Sequence, residues 1–565
     1  MSRKCRSTSS FLAPWNCHFT RHFVFGLPAS LGISRLAVLR LLVVFLPIVL
    51  IWFLLPPRTL YLLSNTLWLS AGTALISIPW GGSLGILLTR TQLPHRHKAL
   101  LLLTTLLFIP LYLQCAGWQA GFGLQGWYTT NTMDQAMPLI LDGWRGAIWI
   151  HAISAVPWVA IMIAAAVCLV EPELEEQALL DTGPLKVFAH VTIRRAATGA
   201  IAAALWITAT TAGEIAVTDF FLKDSPTFAE EMFLGYSLGD ELIQSAAQPH
   251  IAILLTGWLV LISVWIAQYL APQIQLTGYS SVLVFHLPAW LLRFATTITV
   301  ISIFVLIGIP LCNLAYKAGL MVEQLDGQPI RFWSLSKCIT IVVSSPWQYR
   351  TEFGWTILIA ILSATSVVAI AWPLSWWARR GGLYALPAWI AASTGLATPG
   401  PLISNLLTGL LNQAGNPLLN RLYDDTVFAP CVAITIRALP IGILISWLGI
   451  VHLPQELLDT AKLDGAGVWR QLTNIVLPKT LPAVCCAWFV AMAFGMGELS
   501  ASYQVLPPGI DTLSRRVFGL LHAGVEDHVA GICLAQSLLM AIASGAIVLG
   551  VKFFQQRHLR ERTHL

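Results

Sequence analysis

The chain has 565 residues, 56% of them hydrophobic and only 11% charged, against about 25% charged in an ordinary soluble domain. That balance excludes a soluble globular chain. The net charge of +6 is not a nucleic-acid signal, because its bases sit mostly in short loops and at the termini, where they orient a membrane protein.

Residues 1–35 form a basic tail carrying Arg3, Lys4, Arg6 and Arg21. The first apolar run comes after it with no small-residue cleavage site behind, which reads as a signal anchor. Apolar runs of roughly 20 residues, enough to cross about 30 Å of hydrocarbon, then recur to the C-terminus. Six lie at 36–55, 65–88, 100–121, 147–170, 198–220 and 250–270, and six more at 291–311, 355–377, 383–406, 427–450, 481–506 and 529–551. The expected fold is therefore all-α and polytopic, with about 12 transmembrane helices. An even number of spans puts both termini on one side. Arg90, Arg96, Lys98, the Arg379-Arg380 pair and the basic tail 557–562 assign that side to the cytoplasm. The acidic loop 221–250 then faces outward, as does the long loop 316–352. In the same outer loops Glu230-Glu231 and Arg515-Arg516 are candidates for steering a docking protein by charge.

The two halves read as repeats. Gly213-Glu214-Ile215 is matched by Gly497-Glu498-Leu499 at an offset of 284 (497 − 213). The segment 227–233 is matched by 512–518 at an offset of 285 (512 − 227), and Leu69-Ser70-Ala71 and Leu362-Ser363-Ala364 occupy similar places in their halves. Six spans per repeat make the repeats parallel. They are expected at 36–280 and 281–565.

Chemistry-bearing motifs are scarce. There is no Gly-x-x-x-x-Gly-Lys-Ser/Thr loop to cradle ATP phosphates, no His-Glu-x-x-His and no Cys-x-x-Cys. The ten cysteines lie mainly in apolar runs and read as small hydrophobes. His522 and His528 flank Glu526-Asp527, a weak metal candidate, and no metal site is expected. The chain is not expected to be an enzyme or to hold a cofactor.

One polar interruption stands out at 459–478. Its apolar residues recur at helical spacing, Gly465 and Gly467 break it in the middle, and Pro478 closes it. A helix–turn–helix of this kind lies at the membrane surface, where a partner can dock. Asp459, Ala461, Asp464, Gly465, Ile475, Leu477 and Pro478 resemble the Glu-Ala-Ala–three–Gly–nine–Ile-x-Leu-Pro "EAA loop" of ABC-importer inner-membrane permeases. A degenerate copy upstream keeps Glu176, Ala178, Asp181 and Gly183, and has Arg194 or Arg195 where the proline belongs. The two loops fall at 171–195 and 453–480.

The resemblance implies a permease subunit. It would form the substrate path, dock two separate ABC ATPase subunits that bind the ATP, and receive substrate from an extracytoplasmic binding protein. It would lie in the bacterial inner membrane. The fused two-repeat layout and the Gly497–Ala501 and Pro507–Leu513 stretches are similar to iron(III) permeases, which makes iron(III) the leading substrate. Thiamine, phosphonate or polyamine are alternatives, and an ion-coupled secondary transporter is the reading from another class. Glu214 and Glu498, acidic at membrane depth, either line the path as hard oxygen ligands or cap the loops after them.

Overall fold

A computed structural model of the chain describes residues 55–542 and 545, apart from 125, 133–139, 169, 171, 239–250, 252, 254, 256, 259–282, 326–327, 414, 452 and 525. The tail 1–35, nearly all of the run 36–55, most of the run 250–270, the end of the run 529–551 and the tail 557–562 lie outside the described residues.

In chain order the elements that place the site are α1 (Pro57–Arg90), α2 (Arg96–Leu106), α3 (Leu111–Phe122), α4 (Gly143–Cys168), α5 (Pro172–Asp181), α6 (Pro184–Val187), α7 (Ile193–Ala212), α8 (Ala216–Phe221) and α9 (Phe228–Leu238). Then come α10 (Ala289–Gly319), an antiparallel hairpin of β1 (Leu320–Leu325) and β2 (Gln328–Trp333) with Leu320 opposite Trp333, and α11 (Leu335–Gln348). The rest are α12 (Arg350–Ala378), α13 (Leu386–Ala397), α14 (Gly400–Leu411), α15 (Phe428–Val451), α16 (Gln455–Leu463), α17 (Val468–Gln471), α18 (Leu477–Gly497) and α19 (Leu513–His522). Among the described residues six stretches are long and apolar enough to cross a bilayer: α1, α4, α10, α12, α15 and Val468–Gly497. The protein is an all-α polytopic membrane protein.

Two expected spans are broken, and proline breaks both. The run 100–121 bends by 99° between α2 and α3, where Pro110 is extended (ψ 149°). The run 383–406 breaks between α13 and α14, where Thr398 and Pro399 are extended (ψ 119° and 146°). Proline has no N–H to donate, and it pushes the residue before it out of the helical region.

Helix pairing rests on small residues. A Cβ on Gly81 would stand 2.6 Å from the Val156 carbonyl oxygen, and one on Gly85 2.4 Å from that of Ala160. Glycine at this four-residue spacing lets α1 and α4 approach backbone to backbone, the contact that replaces the hydrophobic effect inside a bilayer. Gly442 of α15 instead makes room for the Val367 side chain of α12, whose Cγ1 would stand 2.4 Å from a Cβ there.

The loops differ from the sequence reading in two places. Loop 316–352 is built, as the hairpin and α11. Leu335, Ile339, Val343 and Trp347 form an exposed apolar stripe along α11, as on a helix lying in a membrane interface. Glu230 and Glu231 are not solvated loop charges. Both are buried, Glu231 paired with Arg58 and Glu230 accepting from the Thr227 N–H at 3.3 Å.

Candidate functional site

Two features carry chemistry: a matched pair of surface loops at one end of the bundle, and a charged cavity inside it.

The loops share one build. In the second, α16 ends at Asp464, Gly465 takes φ +80°, and Gly467 is extended before α17. A π-helical turn at Leu472–Val476 then runs into α18. In the first, α5 leads to an extended Gly183, α6, a π-helical turn at Phe188–Thr192 and α7. The π turns lie 284 residues apart (472 − 188). At that offset Gly183 stands in the place of Gly467, not of Gly465 (467 − 183 = 284), and Asp181 occupies the Gly465 position. Arg194 stands where Pro478 does (478 − 194), yet the π turn is kept, with the Ile193 N–H reaching the Phe188 carbonyl.

The sequence-expected residues divide by role. Ala461 is buried, and Ile475 packs with Leu472, Trp372 and Trp376 around Leu453, Leu458 and Val476, seating the loop on the end of α12. Asp459 is exposed and takes a hydrogen bond from Lys462 at 3.0 Å and another from Gln455 at 3.1 Å. Those bonds hold its carboxyl below the ordinary value. Asp464, Leu477 and Pro478 are exposed, as are Glu176, Asp181 and Gly183 in the first loop, while Ala178 is half-buried. The acid aligned with Asp459 at the common offset is Glu175 (459 − 175 = 284), which the sequence reading passed over. It is buried, accepts from Arg90 at 2.7 Å and from the Thr192 hydroxyl at 2.5 Å, and Arg90 also reaches the Val167 carbonyl. Arg379 repeats part of this at the end of α12, donating to the Leu453 carbonyl at 2.6 Å.

What the loops present outward is apolar. Leu463 is 88% exposed and Trp469 77%, and in the first loop Leu180 is 87% and Leu185 83% exposed. Leu185 stands at the Trp469 position (469 − 185 = 284). Neither loop buries these large apolar side chains against the rest of the protein.

The cavity has a volume of about 150 Å³ and is lined from both halves by His151, Trp158, Trp206, Glu214, Arg437 and Glu498 among others. Glu214 and Glu498 do both things the sequence allowed. They line the cavity, and they cap the backbone just beyond them. Glu214 accepts from the Ala216 and Val217 N–H groups at 2.6 and 3.0 Å, and Glu498 from Ala501 N–H at 3.0 Å. The halves interlock here reciprocally. A Cβ on Gly213, the residue before Glu214, would stand 3.3 Å from Pro399 of the α13–α14 break. One on Gly497, before Glu498, would stand 2.8 Å from Pro110 of the α2–α3 break. The sequence reading missed His151 and Arg437. Each is a basic residue inside an apolar run, 286 residues apart (437 − 151), which is the signal that would have found them. The expected His522–His528 site does not form. His522 pairs with Asp219 at 3.0 Å and His528 contacts the Tyr349 hydroxyl. Among the described residues no group of three metal-ligating side chains converges.

A family model described as "Binding-protein-dependent transport system inner membrane component" matches residues 350–560. Over that stretch, under half of the chain, the sequence is similar to inner-membrane components of binding-protein-dependent transport systems. The stretch opens at the start of α12 and contains the second loop, Arg437 and Glu498. The chain is also similar to the "Spermidine/putrescine transport system permease protein PotC" of Escherichia coli (strain K12), at 33% identity over 95 residues, 16% of this chain and 36% of that one. It is similar to the "Putative 2-aminoethylphosphonate transport system permease protein PhnV" of Salmonella typhimurium, at 30% over 83 residues, 14% of this chain and 31% of that one. The chain thus spans about a third of the length of these curated relatives.

Proposed function

We propose that the chain is the membrane-spanning permease subunit of a bacterial ABC importer, with two six-span halves at 36–280 and 281–565 fused in one polypeptide. The observation that carries this reading is the loop pair: the same helix, extended glycine, short helix and π turn twice, each with bared apolar side chains. Each loop docks one ABC ATPase subunit, which supplies the ATP site. An extracytoplasmic binding protein delivers substrate at the opposite end. A surface loop continuous with a span passes ATPase closure to the bundle as a rigid-body motion. Arg90, Arg379 and Arg380 lie at the loop end of α1 and α12, in keeping with a cytoplasmic face for the loops and for both termini. The docking residues are those of the two loops together with Leu180, Leu185, Leu463 and Trp469.

Iron(III), the substrate expected from the iron-permease resemblance, draws no support from the cavity, whose lining offers two separated carboxylates and no converging ligand set. The relatives' names favour a nitrogen-containing small solute of the polyamine or aminophosphonate kind. An ion-coupled carrier has no use for paired apolar surface loops.

The test is reconstitution of the full chain with an ABC ATPase of the same organism. Trp469→Ala and Leu185→Ala are expected each to lower transport-linked ATPase activity at least tenfold, with the fold intact. Uptake that survives ATP depletion, or unaltered coupling in both variants, rejects the permease reading.

A further inference from the structure

The cavity holds polar groups that the protein itself leaves unpaired. His151 lies on α4 and Arg437 on α15, two residues off the 284 offset that relates Glu214 and Glu498, which occupy matching places after α7 and α18. Each basic group faces the acid of its own half across a gap too long for a hydrogen bond: 3.7 Å from His151 Nε2 to Glu214 and 3.9 Å from Arg437 Nε to Glu498. His151 is 4% exposed, and its Nε2, Arg437 Nε and the Oγ1 of the fully buried Thr73, another lining residue, have no hydrogen-bond partner among the described residues.

The two pairs are not equivalent. Arg437 is permanently charged, so Glu498 has a fixed countercharge beside it, and Arg437 Nη1 is further held by the Thr398 carbonyl at 3.2 Å, beside the Pro399 break. Within 4 Å the basic partner of Glu214 is an imidazole, which need carry no charge. The cavity therefore has one carboxylate with a fixed countercharge and one without. Indoles line it: Trp158 and Trp206 stack with centroids 4.6 Å apart, and aromatic faces attract cations.

We propose that this cavity binds a small organic amine, with the protonated amino group anchored at Glu214 and the aromatic wall beside it. The place of that site in a transport path rests on the permease reading, but the binding does not. A carboxylate only accepts hydrogen bonds and an ammonium only donates them. An ammonium thus matches Glu214 in both charge and hydrogen bonding. Two solute types share this chemistry, a diamine and an aminoalkyl phosphonate, and Arg437 separates them. A phosphonate oxygen fits the free Nε of Arg437 in a charge-assisted bond, and a second ammonium does not.

The test uses the full-length chain in lipid nanodiscs, titrated with 1,4-diaminobutane, 2-aminoethylphosphonate and, as the uncharged analogue, 1,4-butanediol. At least one amine is expected to bind, and the diol at least tenfold more weakly. Glu214→Gln is expected to weaken the amine at least tenfold. If that variant does not fold, amine against diol on the unaltered chain decides. Arg437→Gln weakening only the phosphonate identifies the aminophosphonate class; leaving diamine binding intact with no phosphonate binding at all identifies the diamine class. No amine binding, equal binding of amine and diol, or unchanged affinity in folded Glu214→Gln overturns the proposal. A chain that binds no amine but still recruits its ATPase loses this inference alone. One that binds amines but recruits no ATPase loses the permease reading alone.

Discussion

Arg90 is 1% exposed and its partner Glu175 is fully buried, so neither charge has water to fall back on. Removing one partner of such a pair strands the other, a loss of about 3–5 kcal/mol, whereas replacing both with apolar groups of similar volume is often neutral. Arg90→Ala is therefore expected to destabilise the protein strongly and Arg90→Met with Glu175→Leu far less, by unfolding in nanodiscs. A single-variant loss below about 1 kcal/mol would show that the pair is not buried as described. A second residue-scale effect is pH-dependent. The hydrogen bond to Asp219, opposed by partial burial, raises His522 above the ordinary histidine value. A histidine raised on folding contributes stability that is complete below about pH 6.5 and disappears as pH rises through the raised value. Melting temperature should fall as pH climbs through that window, and Asp219→Asn should flatten the fall. A profile identical in the variant would remove His522 as its source.

At the scale of elements, the loops were legible where their build depends on glycine, proline and helical spacing. Gly465 needs its φ of +80°, a conformation that penalises every side chain with a Cβ, while Gly183 has an ordinary φ and open space around it. Gly465→Val is expected to distort the turn after α16 and uncouple ATPase from transport, and Gly183→Val to do little, as read by ATPase stimulation in the reconstituted complex. Equal effects would mean the turn geometry is not what docking requires. The upstream acid was misplaced by one because Glu175 and Glu176 are neighbours of the same type. The 284 offset of the repeats selects Glu175, and burial against Arg90 gives the reason, but a pairing between residues 85 apart leaves no local pattern. The structure built at 316–352 was hidden for a related reason: the apolar stripe of α11 is exposed rather than packed into a core. The broken spans were half legible, since Pro110 and Pro399 sit inside apolar runs that still pass for single helices by hydropathy.

At the scale of the molecule, the glycine before each acidic cap meets the proline break of the other half, and this exchange makes the seam. No periodicity reports it, because each contact joins residues far apart in the chain, 213 to 399 and 110 to 497. The geometry is unequal. A Cβ on Gly497 would lie 2.8 Å from Pro110 Cβ and 2.9 Å from its Cγ, atoms of a rigid ring. On Gly213 the tightest approaches are 3.3 Å, one of them to the flexible Arg437 guanidinium. Overpacking a fixed contact costs about 1–3 kcal/mol, and a movable side chain absorbs much of it. Gly497→Ala is therefore expected to lower the melting temperature and transport more than Gly213→Ala. Adding Pro110→Gly to Gly497→Ala should restore part of the loss by removing both the Cβ and the ring it strikes, since residues in direct contact do not act additively. The cycle is read from unfolding and uptake together. If the two glycine variants are equal, or the second substitution worsens the first, the seam is not set by this contact. The halves would then be held by their outer contacts instead, such as the Tyr112 hydroxyl to Gln536 at 2.7 Å.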